Sequence, residues 1–244
     1  MNIYTALQIG DYHLNYCEDY LFTGNIGKDK MLCAVMDGCT MGTDSYFAAT
    51  MVGKLLRKIV KEKDYKEFYG VEFSDQTIDE YLKSILSELF RELIMVKGQL
   101  ALERNELLTT LIILLVDKSR DEGTVLVVGD GMVCIDGVIT EFEQDNKPDY
   151  LGFHLGEDFE EWYSQQHQKK HFRHFADISI ATDGISSFKS ISGKPSTIEH
   201  PAEYLVCDSQ FSQGDDMLYR KLKTLEHTSG LKPTDDLAIV RIVK

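Results

Sequence analysis

Short runs rich in Val, Ile and Leu recur along this chain, and several stop on an aspartate next to glycine. Residues 31–36 lead into Asp37-Gly38, 124–128 into Gly129-Asp130-Gly131, and 178–181 into Thr182-Asp183-Gly184. A carboxylate pair, Asp235-Asp236, stands just before the last apolar run, 237–243. Runs of this length bounded by Gly and Asp read as β-strands. A strand that ends on a carboxylate holds it at a sheet edge, where side chains from distant segments can meet. Oxygen-only clusters of this kind suit hard divalent cations such as Mg²⁺ or Mn²⁺.

Asp-Gly is also the commonest hairpin dipeptide, because both residues tolerate positive φ. Asp136-Gly137 has that role here, since it joins the runs 132–135 and 138–142 at the spacing of a two-residue hairpin. Asp37 and Asp183 differ, each being followed by a helix-like stretch rather than a returning strand.

The remaining strands are expected at 111–116, with weaker candidates at 20–22 and 5–9. Helical periodicity begins at Asp44 and runs to about residue 61, with Phe47, Met51, Leu55 and Ile59 on one stripe. A second helix is expected over 78–104, capped by Thr77 with Glu80, and a third over 216–225, ending near Gly230. No βαβ alternation is present. Hairpin-joined strands with segregated helices predict an α+β fold with mainly antiparallel sheet. No repeat or linker divides the chain, so residues 1–244 are expected to form one domain.

Residues 157–175 are ambiguous. Phe159, Trp162 and Tyr163 fit a helix, on which His167, His171 and His174 would share one face. Their neighbours Lys169, Lys170 and Arg173 disfavour a cation there, so a solvated basic face is the better reading.

Composition excludes several classes. A net charge of −14 opposes nucleic acid and anionic membrane surfaces. No apolar run approaches the length of a membrane span, and residues 1–4 show no signal core, which implies a cytoplasmic protein. Five cysteines with no Cys-x-x-Cys pair are expected to be reduced and mostly buried.

In order along the chain stand Glu18-Asp19, Ala34-Val35-Met36-Asp37-Gly38 with Gly42 and Ser45, and Leu108-Thr109-Thr110-Leu111. Val128-Gly129-Asp130-Gly131, Ala181-Thr182-Asp183-Gly184-Ile185 and Thr234-Asp235-Asp236-Leu237-Ala238-Ile239-Val240 follow. This ordered set, spanning about residues 9–243, resembles the metal-dependent protein phosphatases of type 2C in a bacterial stand-alone form. The resemblance implies a sandwich of two mainly antiparallel sheets with helices on both outer faces. It implies two Mg²⁺ or Mn²⁺ ions, with Asp37 bridging both and the Gly38 carbonyl on one. Asp183 and Asp235 would hold the other, Glu18 would act on a metal through an intervening water, and Asp19 would support the site from nearby. Asp130 matches an aspartate at a third, looser ion in some members.

The implied activity is hydrolysis of phosphoserine or phosphothreonine in a partner protein, with water as nucleophile. No basic Cys-x5-Arg loop follows Cys39, which argues against a cysteine nucleophile.

Departures from the family pattern fall on the substrate side. Leu14 stands where several members have a phosphate-gripping arginine, and the adjacent His13 reads better as an ordinary polar strand residue than as a partial substitute for it. Cys39 replaces a histidine that protonates the leaving group in some members, and Thr40 and Met41 replace glycines. Ser187 replaces an aspartate that supports the third ion, which argues against that ion, and Ala238 replaces a common threonine. The pattern favours a hydrolase with unusual substrate preference. The alternative is a pseudophosphatase that binds a phosphorylated or regulatory partner. Residues 147–170 occupy the place of a substrate-facing flap, with Tyr150, Phe153, Trp162 and Tyr163 expected to be mostly core.

Overall fold

The computed structural model describes residues 1–70, 76–144, 148–191 and 196–244. Its strands are β1 (Asn2–Gln8), β2 (Tyr20–Ile26), β3 (Lys30–Met36), β4 (Leu111–Asp117), β5 (Glu122–Val128) and β6 (Gly131–Ile135). They continue with β7 (Val138–Phe142), β8 (Lys169–Arg173), β9 (Asp177–Ala181), β10 (Phe188–Ser190), β11 (Leu231–Pro233) and β12 (Leu237–Val243). The helices are α1 (Ser45–Phe68), α2 (Ile78–Leu100), α3 (Phe159–Ser164), α4 (Pro201–Val206) and α5 (Met217–His227).

Two five-stranded sheets form, in the orders β1-β12-β9-β6-β7 and β2-β3-β4-β5-β8, and β10 pairs with β11 alone. Every described pairing is antiparallel. The strand β3 shows why its sequence is apolar from Met31 to Met36. Met31, Cys33 and Val35 pack between the sheets with Ile112, Val127, Ile180 and Val240. Leu32, Ala34 and Met36 face outward onto α1 and α2, against Leu56, Ile59, Leu82 and Leu89. On the other outer face, α4 and α5 cover the first sheet through Leu205, Leu218, Leu222 and Leu225. The expected α+β sandwich with helices on both outer faces is what the chain forms.

Local signals explain the element ends. Thr77 accepts the Glu80 amide at 3.2 Å while the Glu80 carboxylate accepts the Thr77 amide at 2.8 Å, so α2 begins with the expected capping box. Asp136 (φ 49°) and Gly137 (φ 81°) make the left-handed pair that closes the β6–β7 hairpin.

Several expectations are corrected. The helix α2 stops at Leu100, with Ala101 at φ 54°, so Arg104 lies in a separate 3-10 turn, Arg104–Glu106. Residues 169–173 form the edge strand β8 rather than a helix. His167, His171 and His174 therefore share no helical face; His171 lies 3.7 Å from Asp79 and His174 lies 3.2 Å from Asp121. Edge pairing to β5 uses backbone groups and tolerates this polar composition, which hid the strand. His13 is in the loop between β1 and β2, not on a strand. Only Cys33 and Cys134 are buried; Cys17 and Cys39 are half-buried and Cys207 is exposed. Trp162 and Tyr163 are core, while Phe153 is exposed; Lys147, the first residue of the flap-like segment, lies outside the described residues.

Candidate functional site

The antiparallel pairings set the ends of β3, β5 and β9 and the starts of β2, β4, β6 and β12 along matching sheet edges. That arrangement places Asp19, Asp37, Asp130, Asp183 and Asp235 in one neighbourhood.

Asp37 directly follows β3, and its backbone is clamped by the start of β4. Its amide donates to Thr110 Oγ1 at 3.1 Å, and its carbonyl accepts from Thr109 Oγ1 at 2.8 Å and the Thr110 amide at 2.9 Å. Gly38 donates its amide to the Glu18 carbonyl at 3.2 Å and bridges to Thr109. The Thr109-Thr110 pair is thus what orients the Asp37 turn.

Asp19 is buried and joins the two sheets, because its carboxylate accepts from Thr182 Oγ1 at 2.6 Å, while its other oxygen has no partner. Burial pushes its carboxyl up to about 8, against the hydrogen bond from Thr182 and with help from the Asp236 and Asp183 charges. Burial and the charges of Asp19, Asp183 and Asp235 push Asp37 well above the usual carboxylate range.

Asp183 opens a 3-10 turn, Asp183–Ser186, directly after β9. Removal from water, then the Asp130 and Asp235 charges, raise its carboxyl to about 7. Asp130 is raised by burial and by Asp235 and Glu143. A cavity of about 320 Å³ opens beside Asp130 and Asp183, continuing along Glu141, Ser186 and Ser187. A larger cavity of about 770 Å³, lined by Asp79, Arg120, Glu122 and Arg173, lies away from these carboxylates.

Gly184 meets the backbone before β12 so closely that a Cβ would overlap the Asp236 carbonyl oxygen. Gly184→Ala is expected to cost about 2 kcal/mol or more, since backbone on both sides must move. A denaturant midpoint unchanged from wild type would show that this contact is not needed.

Glu18 is turned to protein donors: Ser45 Oγ at 2.5 Å and Thr40 Oγ1 at 2.8 Å. It is not among the largest charges acting on Asp19, Asp37 or Asp183. His13 Nδ1 lies 2.9 Å from Asp236 Oδ2 and Nε2 lies 3.5 Å from Asp235 Oδ1, close ion-pair contacts in which Nδ1 is not aligned as a hydrogen bond. Burial lowers its pKa, but Asp236, then Glu18 and Asp235, outweigh that and raise it.

Sequence reasoning gave no role to Asp236. Its buried carboxylate accepts the Gly10 amide at 2.7 Å and the Glu18 amide at 2.5 Å, tying the β1–β2 loop to the last strand. The signal was its adjacency to Asp235, because neighbouring residues entering a strand point to opposite sides.

The donor chemistry fits divalent cations. The largest charged neighbours of Asp37 and Asp183 are carboxylates, not Lys or Arg, and Asp19 keeps a buried oxygen without a partner. The described residues contain no ready-made cage of three or more His, Cys, Asp or Glu side chains. Asp19 takes the Thr182 hydroxyl and Asp235 the Asp236 amide instead.

Known structures share this architecture. A bacterial serine phosphatase superposes with a TM-score of 0.63 at 12% identity, covering 100% of this chain and 97% of the other. RsbX in complex with magnesium gives 0.53 at 15% identity, covering 98% and 94%. The phosphatase domain of the cell fate determinant SpoIIE from Bacillus subtilis, with a fragment of its regulatory domain, gives 0.56 at 14%, covering 99% of this chain and 62% of that one. At such identity the likeness establishes the fold. No curated protein sequence matches significantly. Residues 10–222 match the family described as protein phosphatase 2C, the fold agrees over the whole length, and the chain belongs to that family.

Proposed function

We propose that this protein is a Mg²⁺- or Mn²⁺-dependent phosphatase acting on phosphoserine or phosphothreonine in a partner protein. The observation that carries this reading is the gathering of Asp19, Asp37, Asp130 and Asp183 from distant segments, each raised by burial and by neighbouring carboxylates, with Asp235 among the charges acting on Asp37, Asp130 and Asp183. Asp37, Asp183 and Asp235 would hold two cations with the Gly38 carbonyl, and Asp130 would border them. When bound, the cations neutralise phosphoryl oxygens and lower the pKa of water toward neutrality.

The chain's own residues prepare that chemistry. Thr109 and Thr110 fix the Asp37 backbone, and Thr182 holds the buried Asp19. Ser45 and Thr40 hold Glu18, whose oxygens would reach a cation through water. His13, kept cationic to higher pH by Asp236, places positive charge beside Asp235 and offsets in part the arginine missing at Leu14.

The test is manganese-dependent hydrolysis of a small aryl phosphate by the purified chain. Asp183→Asn is expected to lower it on the order of 10²-fold or more. Equal rates for wild type and variant would remove the reading.

A second reading rests on the substrate side. Residues 10–27 and 37–53 contain no Lys or Arg. A pseudophosphatase would bind a phosphopeptide without turning it over.

A further inference from the structure

Two loops flank the carboxylate neighbourhood: residues 9–19 before β2, and 37–44 between β3 and α1. They are fastened together at Glu18, which takes the Ser45 and Thr40 hydroxyls with its carboxylate and the Gly38 amide with its carbonyl. Tyr16 of the first loop stacks on Tyr46 at the start of α1, with ring centroids 4.7 Å apart and planes at 27°. The pair of loops is therefore one fixed surface rather than two independent tails.

That surface is apolar where a phosphate-binding rim would be expected to be cationic. Leu14 is 89% exposed, Met41 is 92% exposed and Tyr16 is 61% exposed. None of them joins a core cluster. Large apolar side chains held bare around a polar cleft mark a binding surface more often than chance decoration. With no Lys or Arg in either loop, and His13 already set against Asp235 and Asp236, affinity at this rim has to come from buried apolar area.

Charge selects among occupants. Asp44 ends the second loop, and Glu103 and Glu106 adjoin it, because Asn105 bonds Thr43 at 3.1 Å through its side chain and 3.2 Å through its carbonyl; the one cation of that turn, Arg104, is laid over the Phe153 ring. A second copy of this chain, also at −14, would bring like charge to an acidic rim. A basic segment would not.

We propose that Leu14, Tyr16, Met41 and Tyr46 form a docking rim for an apolar side chain beside the phosphorylated residue of a protein substrate whose outer flanks carry Lys or Arg. This deepens the phosphatase reading and rests on it for the identity of the substrate. The departure at Leu14 then replaces a grip on the phosphate with a grip on its neighbour, and Met41, where glycine is usual, adds apolar area to it.

The experiment uses the full chain with Mn²⁺ and two phosphoserine peptides with the same Lys-containing flanks. One has Leu next to the phosphoserine, the other Asn. Both kcat/KM and binding by fluorescence anisotropy are measured, with a small aryl phosphate as the substrate that has no flank. Wild type should prefer the Leu peptide by about tenfold, the scale of one buried aliphatic side chain. The double variant Leu14→Ser, Met41→Ser should lose that preference and keep its rate on the aryl phosphate; both positions are solvent-exposed, so folding is not at stake. A variant that retains the preference, or that loses all substrates in equal proportion, overturns the rim. If wild type turns over the aryl phosphate but does not distinguish the peptides, the rim falls and the phosphatase reading stands. If nothing is turned over while binding still favours Leu through Leu14 and Met41, the phosphatase reading falls and the rim stands.

Discussion

Asp37→Asn is expected to abolish manganese-dependent hydrolysis, on the order of 10³-fold, while leaving the metal-free protein more stable than wild type. Both effects come from one carboxyl group. It sits against Asp19 under the charges of Asp183 and Asp235, and burial already disfavours its ionised form. An amide of the same shape is neutral, so it removes one repelling charge from this buried position. The gain should be on the order of 1 kcal/mol, or about 3 °C in melting temperature in the presence of chelator. The two readouts moving in opposite directions distinguish a functional loss from a folding defect. A variant that is both inactive and less stable would mean that Asp37 acts chiefly as structure.

Lowering the pH from about 8 to about 5.5 should stabilise the chelated protein, against the usual acid destabilisation. Asp19 is raised to about 8 and Asp183 to about 7, each from an ordinary value of 3.8. A carboxyl with a raised folded pKa favours the folded state fully below its unfolded pKa. That advantage is lost as pH climbs through the window between 3.8 and the folded value, because the unfolded chain ionises first. His13, also raised, works in the same direction. Lys221, lowered from 10.5 to about 8, exerts its opposing slope mainly above this window. The combined change should be on the order of a few kcal/mol. Mn²⁺ or Mg²⁺ should then raise the melting temperature most at pH 8 and least at pH 5.5, since protons and cations compete for the same oxygens. Thermal melts in chelator and in millimolar Mn²⁺ across this range test it. A chelated protein that loses stability on acidification, or a cation effect independent of pH, would contradict shared use of these carboxylates.

Element type was legible wherever it depended on neighbours in sequence. Periodic apolar residues, the Thr77–Glu80 cap and the Asp136-Gly137 hairpin all act within one or two turns of chain; cap and hairpin formed where expected, and the two long helices began there, though α1 runs on to Phe68 and α2 stops at Leu100. The strands β8, β10 and β11 were not legible. The first has the polar composition of an edge, and the other two are three residues long, too short for a period to show. Their existence depends on a partner strand elsewhere in the chain. At the site, the Asp-Gly strand ends were visible as motifs, while Asp236 was not separated from Asp235, because its role lies in two backbone amides from the β1–β2 loop.

What the linear order of residues determined was which carboxylates stand at strand ends, and that the strands are hairpin-joined with helices kept apart. Only the tertiary structure decided that Asp19 spans both sheets to Thr182, that Asp37 lies buried under the charges of Asp19, Asp183 and Asp235, and that Leu14 and Met41 stand bare. Secondary structure follows from short-range sterics and periodicity, whereas the ionisation of a carboxyl or the exposure of a leucine is set by what packs around it from far along the chain.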